Sequence, residues 1–516
     1  MSSSYTPVTG ILLSHRLLIK VRSQHWPGAV SDCKVHLLYL GLIAALTVLV
    51  PPAIQAAVWT IDPLVDLSTS YADNVTLAAK GQERDDFVLG VSPGVTVHAT
   101  GRELNMLFNY GYERLFYLSD SDRDYSRQLF QGSADAVLVP DFLFVGGSGR
   151  ISQQLVDPLG SAGLGNLAVS ENVGEVRTWT LSPFMRRRMG DLQLALGINF
   201  DMVDYPGRSR DSFSREYRFE AGSNTQRKHA AEWQLGLSRR EIFFEGDDAD
   251  QLYDTVSGIF RYHLTPEWSV ETSAGYVRNN FPYDPLNAQS PQGGTWTAGF
   301  LWAPSPRTVV SAGVGEHYFG STHFANIEHR GRFNTFHYSY SEDISSARQL
   351  QVKERPKTDD KGDPIPGPKT TDPATGKPSE LDLLIVSQTT EVFVGKRSKL
   401  TWVFRSTHVS FGADAYRERR ELQSSGGTET VAGEGVNAGW HPSGRTDFLT
   451  SYSKQTADFI IGRQDVFRDV KLGVNRHFTP KVTGSLDYSR NSRESSADTI
   501  TDYVNHVVTA SVRILF

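Results

Sequence analysis

A single cysteine, Cys33, stands in the whole chain, so no disulfide framework holds this fold. There is no basic excess either. The formal net charge is -6, which excludes a broad electrostatic surface for nucleic acid. Long apolar runs are missing apart from Val35 to Val50, which is shorter than the ~20 residues a helix needs to cross a bilayer. With 39% hydrophobic residues and a mean hydropathy of -0.34, the chain is not a bundle of membrane helices. No His-Glu-x-x-His and no phosphate-binding loop occurs. Gly146-Gly-Ser-Gly149 lacks the lysine a phosphate site needs and reads as a glycine-rich turn. His317, His323, His329 and His337, with Glu316 and Glu328 nearby, match no compact ligand spacing. These motifs predict no catalytic residue, no metal and no cofactor.

What is present begins with a leader. Lys34 is followed by the apolar run to Val50, then Pro51-Pro52 and the small residues Ala53 to Ala57. A basic flank, a short apolar core and small residues read as a secretory signal over 1–56, with cleavage between Ala56 and Ala57. The stretch ahead of Lys34 is long for such a leader. Its removal would leave 57–516, an acidic exported chain without cysteine.

From Trp59 onward the dominant pattern has a period of two. Leu104, Met106, Phe108 and Tyr110 alternate with Glu103, Asn105 and Asn109. Leu192, Leu194, Leu196, Ile198, Phe200 and Met202 alternate with Asp191, Gln193, Gly197, Asn199 and Asp201. Trp296, Ala298, Phe300 and Trp302 alternate with Thr295, Thr297 and Gly299. Alternation puts the two sets on opposite faces of a strand. A soluble sheet would favour lysine and glutamate on its polar face. Here that face is rich in Gly, Ser, Thr and Asn, with aromatics near the ends of the apolar face, as in a membrane barrel.

Tight turns at Thr265-Pro266, Ala303-Pro-Ser-Pro306, His441-Pro-Ser-Gly444 and Thr479-Pro480 join pairs of such runs. The same spacing separates Pro266 from Pro304 and Pro442 from Pro480. At the opposite ends stand longer polar connections, Ser119 to Tyr125, Asp157 to Val173 and Phe281 to Gly294. Short turns on one side and long loops on the other predict an all-β, transmembrane antiparallel up-and-down β-barrel of about 20 strands, in the range of roughly 16–22. The segment 346–379, rich in Pro, Lys and Asp, has too few apolar residues to pack and reads as a disordered loop. At this strand count it falls on the short-turn side. Its charges favour a solvated tether over a plug in the lumen.

Two further groups of residues are singled out. Val508, Ala510, Val512, Ile514 and Phe516 form the apolar face of a last strand ending on an aromatic residue. This ending resembles the C-terminal signal that the barrel-assembly machinery reads; an edge strand of a soluble sheet is the alternative. Asp191, Asp201, Glu232, Glu267, Glu271 and Asp487, against Arg240, Arg261, Lys471, Lys481 and Arg513, are the expected lumen-facing charges. They either brace the wall by mutual pairing or line a permeation path. Arg186-Arg-Arg188, beside a turn, reads as a solvated cluster at the headgroups.

Trp59-Thr-Ile-Asp-Pro63, Ser70-Tyr-Ala-Asp-Asn74, Val91-Ser-Pro-Gly94, Tyr338-Ser-Tyr-Ser-Glu-Asp343 and Ala415-Tyr-Arg-Glu-Arg-Arg-Glu-Leu422 are similar to short motifs of one family. It is the outer-membrane β-barrel family associated with the PEP-CTERM/exosortase system. The resemblance implies a bacterial outer-membrane barrel in a setting of exopolysaccharide export, and it supplies no mechanism. The expected function is a porin-like channel or export component. Its expected partners are outer-membrane lipid, the assembly machinery and a polysaccharide or envelope component, with no nucleic acid. An envelope anchor and a barrel enzyme are the alternatives.

Overall fold

The computed structural model describes residues 57–155, 167, 173–206, 211–223, 230–245, 250–280, 292–346, 348, 392–423, 425–460, 462–497 and 501–516. Met1–Pro52 and Ala53–Phe516 separate as two units, and every described residue belongs to the second. The leader through Ala56 and the loop 346–379, except Ser346 and Arg348, lie outside the described residues.

The strands are β1 (Val58–Ala72), β2 (Asp86–Thr100), β3 (Leu104–Tyr117), β4 (Tyr125–Val139), β5 (Leu143–Leu155), β6 (Val173–Met189), β7 (Leu192–Asp204) and β8 (Ser212–Ser223). Next come β9 (Ala231–Phe244), β10 (Gln251–His263), β11 (Trp268–Asn279), β12 (Gln292–Ser305), β13 (Thr308–His317), β14 (Gly320–Arg330) and β15 (Asn334–Ser346). The last are β16 (Val392–Arg405), β17 (Val409–Leu422), β18 (Thr428–Ser443), β19 (Thr446–Asp458), β20 (Gln464–Thr479), β21 (Val482–Ser495) and β22 (Tyr503–Leu515). All belong to one sheet of 22 strands in which each pairs antiparallel with its sequence neighbours and β1 pairs with β22. The barrel is closed, and closure leaves no strand edge unpaired.

Side-chain alternation explains why the wall faces as it does. Leu196, Trp233, Tyr276, Trp296, Leu472, Leu486 and Val512 all stand exposed on the outer face. In water such a surface would be costly; in a bilayer it is the surface that belongs there. Aromatic rings ladder across that face. Phe108 lies 5.9 Å from Phe130, which lies 5.3 Å from Trp179. These rings cover Gly132 and Gly149, where an added Cβ would collide with them. Gly146-Gly-Ser-Gly149 therefore sits inside β5 and is not a turn, and its Gly149 makes room for neighbouring aromatics.

The turns at 306–307, 444–445 and 480–481 are two-residue connections, all at one end of the barrel. At 190–191, at the same end, Gly190 has φ +61°, the left-handed conformation a tight hairpin needs. The connections 73–85, 118–124, 156–172, 280–291 and 347–391 all leave from the other end. This corrects the side expected for the 346–379 loop. It joins β15 to β16, an odd strand to the next even one, so its flanking strands end on the long-connection side. The count of about 20 had put it one strand out of phase.

Polar groups tie the seam. Arg513 Nε and Nη2 donate to the two carboxylate oxygens of Asp66, each at 2.9 Å. Ser70 and Thr509 hydroxyls meet at 2.8 Å, and the Phe516 N–H donates to the Pro63 carbonyl at 3.0 Å. A bidentate guanidinium–carboxylate pair fixes register as well as adding stability. No helix among the described residues is long and apolar enough to cross a membrane.

Candidate functional site

The site is the lumen, whose character changes along its length. Near the long connections its polar wall is buried: Glu113, Arg127, Asp201, Glu216, Glu418, Arg420, Asp465 and Arg493 are all below a tenth exposed. A wall of 22 strands encloses a wide space, and wide barrels of this size need filling. Some of that filling comes from the chain itself. The 73–85 connection turns inward, with Val75 and Leu77 buried and Asn74 Nδ2 donating to the Ala78 and Val504 carbonyls at 2.9 and 3.1 Å. Tyr117 Oη donates to the Leu167 carbonyl at 2.6 Å, beside a cluster of Ala72, Val75, Val88, Leu115 and Val507.

The buried charges are paired. Arg240 meets Glu216 at 2.8 Å, Arg420 meets Glu418 at 3.0 Å, and Arg493 and Arg463 both hold Asp465, at 2.7 and 2.8 Å. Arg127 pairs with Glu113. Unpaired, each would carry a large desolvation cost.

Arg348 reaches from the end of β15 to β7. Arg348, two residues beyond the end of β15, places Nη1 at 2.6 Å from Asp201 Oδ1 on β7. Its Nε donates to Ser212 Oγ at 2.7 Å and its Nη2 to the Asp201 carbonyl at 3.2 Å. Two residues of backbone, spanning at most ~7 Å, and the two side chains are all that bridges the gap. The ends of β15 and β7 are therefore much closer than opposite walls of an evenly round barrel, and the lumen is pinched there. Arg348, the first described residue past Ser346, lies inside, and the rest of the segment expected to be a solvated tether lies outside the described residues. At the rim of this mouth, burial and the neighbouring Asp204 push Asp211 up to about 6, against the lowering effect of the Tyr205 N–H.

The half of the lumen toward the short turns is more open. Arg261 Nε donates to Glu271 at 2.9 Å and Arg261 Nη1 lies 3.7 Å from Glu232. Lys471 lies 3.5 Å from Asp469, and Ser485 Oγ donates to Asp487 at 2.8 Å. Among the described residues five histidines line this end of the inner face: His98, His263, His337, His441 and His477. His441 Nδ1 lies 2.6 Å and His477 Nε2 3.7 Å from the carboxylate of Asp447, while His263 Nε2 lies 3.3 Å from Glu232. Sequence reading missed this ring, because its members lie on β2, β10, β15, β18 and β20, and only the strand order brings them to one end.

Of the charges expected inside, Asp201, Glu232, Arg240, Arg261, Glu271, Lys471, Asp487 and Arg513 occupy inward positions of strands. Asp191, Glu267 and Lys481 stand instead in the short turns before β7, β11 and β21, at the rim. Arg186-Arg-Arg188 does not act as one cluster. Arg187 points outward, whereas Arg186 packs over the Phe144 ring at 4.9 Å and Arg188 donates to Gln193 at 3.1 Å, both inside. Val508, Ala510, Val512 and Ile514 face outward on β22 opposite Tyr71, Thr69, Leu67 and Val65.

The histidines near Glu316 and Glu328 divide between the faces. His317 and His337 point inward, and His323 and His329 outward. Among the described residues no group of His, Cys, Asp or Glu is arranged to hold a metal. Gly90-Val-Ser-Pro-Gly94 has the spacing of a nucleophile elbow, but it lies within β2, without the strand-to-helix turn that exposes such a serine.

A closed antiparallel barrel with an apolar outer band, aromatic rings and a polar, charge-lined lumen is the architecture of bacterial outer-membrane β-barrels. No family model and no curated relative matches the chain. Among solved structures it is similar to the siderophore receptor PirA from Acinetobacter baumannii, with 8% identity, a TM-score of 0.47, and coverage of 89% of this chain and 81% of that one. The FrpB iron transporter (F3-3 variant) from Neisseria meningitidis gives 8% identity, a TM-score of 0.48 and coverage of 88% and 81%. A loop-deletion mutant of OmpT, an outer membrane protein of Vibrio cholerae, gives 9%, 0.31, and coverage of 89% and 99%.

Proposed function

We propose that this protein is a porin-like channel or export component of the outer membrane, narrowed by its own chain toward the long connections. The observation that carries the reading is the lumen. A barrel serving only as an anchor has no need of an inner face with open charges and histidines at one end. The sequence motifs quoted above support a setting in the PEP-CTERM/exosortase surface system, with a polysaccharide or envelope component as the solute or partner. Export by a signal cleaved before Ala57 and insertion by the barrel-assembly machinery, reading Phe516 and the apolar face of β22, complete the proposal. Purified protein in planar bilayers should give discrete ion conductance. Silence in the bilayer, with the barrel folded, would favour the anchor reading.

A further inference from the structure

We propose that the outer face of β17–β21, above the apolar band, binds the phosphate groups of lipid headgroups in the leaflet at the long-connection end. Lys454 on β19 and Arg468 on β20 are direct cross-strand partners on this face. Like charges placed directly opposite destabilise a sheet unless something anionic lies between or over them. Arg490 on β21 stands one outward position nearer the membrane, beside Val470 and two residues beyond Tyr488. Arg417 on β17 adds a fourth cation, next to Ala432.

The acidic groups on this face, Glu421, Glu434, Asp458 and Glu494, fall one short of its cations, Arg417, Arg419, Lys454, Arg468 and Arg490. Glu494 takes up Arg468 at 2.6 Å, and Glu434 stands opposite Lys454 on β18. Among the described residues Lys454, Arg490 and Arg417 have no ion pair within 4.0 Å. Just below lie Tyr452, Leu472, Leu486 and Val508, exposed to the bilayer interior. A headgroup phosphate with its acyl chains against that band would meet the cations from above. The patch fits a lipid rather than a soluble anion because its charged and apolar parts are continuous on one wall. This face is separate from the lumen, so the inference stands apart from the channel reading.

The test uses full-length protein in detergent micelles. The probes are diphosphorylated lipid A, the same glycolipid without its phosphates, and inorganic phosphate, with binding read by native mass spectrometry. Each cation near a charged membrane surface contributes roughly fivefold in affinity. Lys454→Gln with Arg490→Gln, which breaks no ion pair among the described residues, should weaken binding of the phosphorylated lipid about 25-fold. Glu434→Gln should strengthen it about fivefold, and so tests the patch even if the double variant fails to fold. Equal binding of both lipids, or no change in either variant, overturns the proposal. Displacement of the lipid by millimolar inorganic phosphate also overturns it, by assigning the cations to a free anion.

Discussion

Asp201→Ala removes the carboxylate that Arg348 reaches from beyond β15. The two side chains are 1% and 6% exposed, so the pair is dry. Taking one partner from a buried pair costs about 3–5 kcal/mol when the other stays buried. Ser214 Oγ and Asn199 Nδ2, which donate to the same carboxylate at 2.8 and 3.2 Å, also lose their acceptor. Against this, Arg348 lies outside any paired strand and can turn toward water, which limits the loss. The expected cost of Asp201→Ala is therefore about 3 kcal/mol, at the lower end of that range. Arg348→Ala should cost less, because Asp201 keeps two hydroxyl and amide donors. The double variant should show a coupling of about 2 kcal/mol, above the ~0.5 kcal/mol expected of independent sites. Urea unfolding from lipid vesicles, followed by tryptophan fluorescence, measures these values. Single-channel conductance should rise in both single variants, since the contact draws the end of β15 toward β7. Additive effects together with unchanged conductance would refute the pinch.

Three other outcomes follow from the same wall. Leu196→Arg puts a charge at a lipid-facing position that is 52% exposed and should cost ~2–4 kcal/mol near the bilayer midplane. Gly197→Ser, one residue along and facing inward, should cost less than Leu196→Arg, although its Cβ would sit 3.1 Å from Phe184 Cβ; equal costs in vesicle unfolding would contradict the assigned faces. Replacing Phe516 by Asp should lower the amount of heat-modifiable barrel in outer membranes, and wild-type levels would count against an assembly signal there. Replacing Glu232, Glu271 and Asp447 by their amides removes negative charge at the short-turn mouth, where Arg261 remains. The cation-to-anion permeability ratio should therefore fall, and an unchanged ratio would exclude this mouth from the ion path.

The wall was legible in the sequence because a period of two survives in most strands that must show lipid one face and water the other. Leu192 to Met202 and Val508 to Phe516 carry it without interruption. Strand number was less legible, about 20 read against 22 found, because runs such as Thr308–His317 and Gly320–Arg330 place Glu316, His323 and His329 on the outer face. Errors of one position at strand ends moved Asp191, Glu267 and Lys481 from rim to wall, and treating Arg186 to Arg188 as a block ignored the alternation that splits it. The Arg348–Asp201 contact could not be read at all: the residues are 147 positions apart, and nothing local to either marks a partner. The same holds for the histidine ring, which exists only once the strand order is set.

The facing of the wall is the claim on which channel, pinch and lipid patch all depend, and cysteine labelling tests it directly. In a Cys33→Ser background each introduced cysteine is the only thiol in the chain. In liposomes, Leu196→Cys and Val512→Cys should resist a water-soluble maleimide and react with a membrane-soluble one. Ala195→Cys and Ser511→Cys, their inward neighbours, should react with the water-soluble reagent. Water-soluble labelling that is equal at 195 and 196, or reversed between them, would contradict the account.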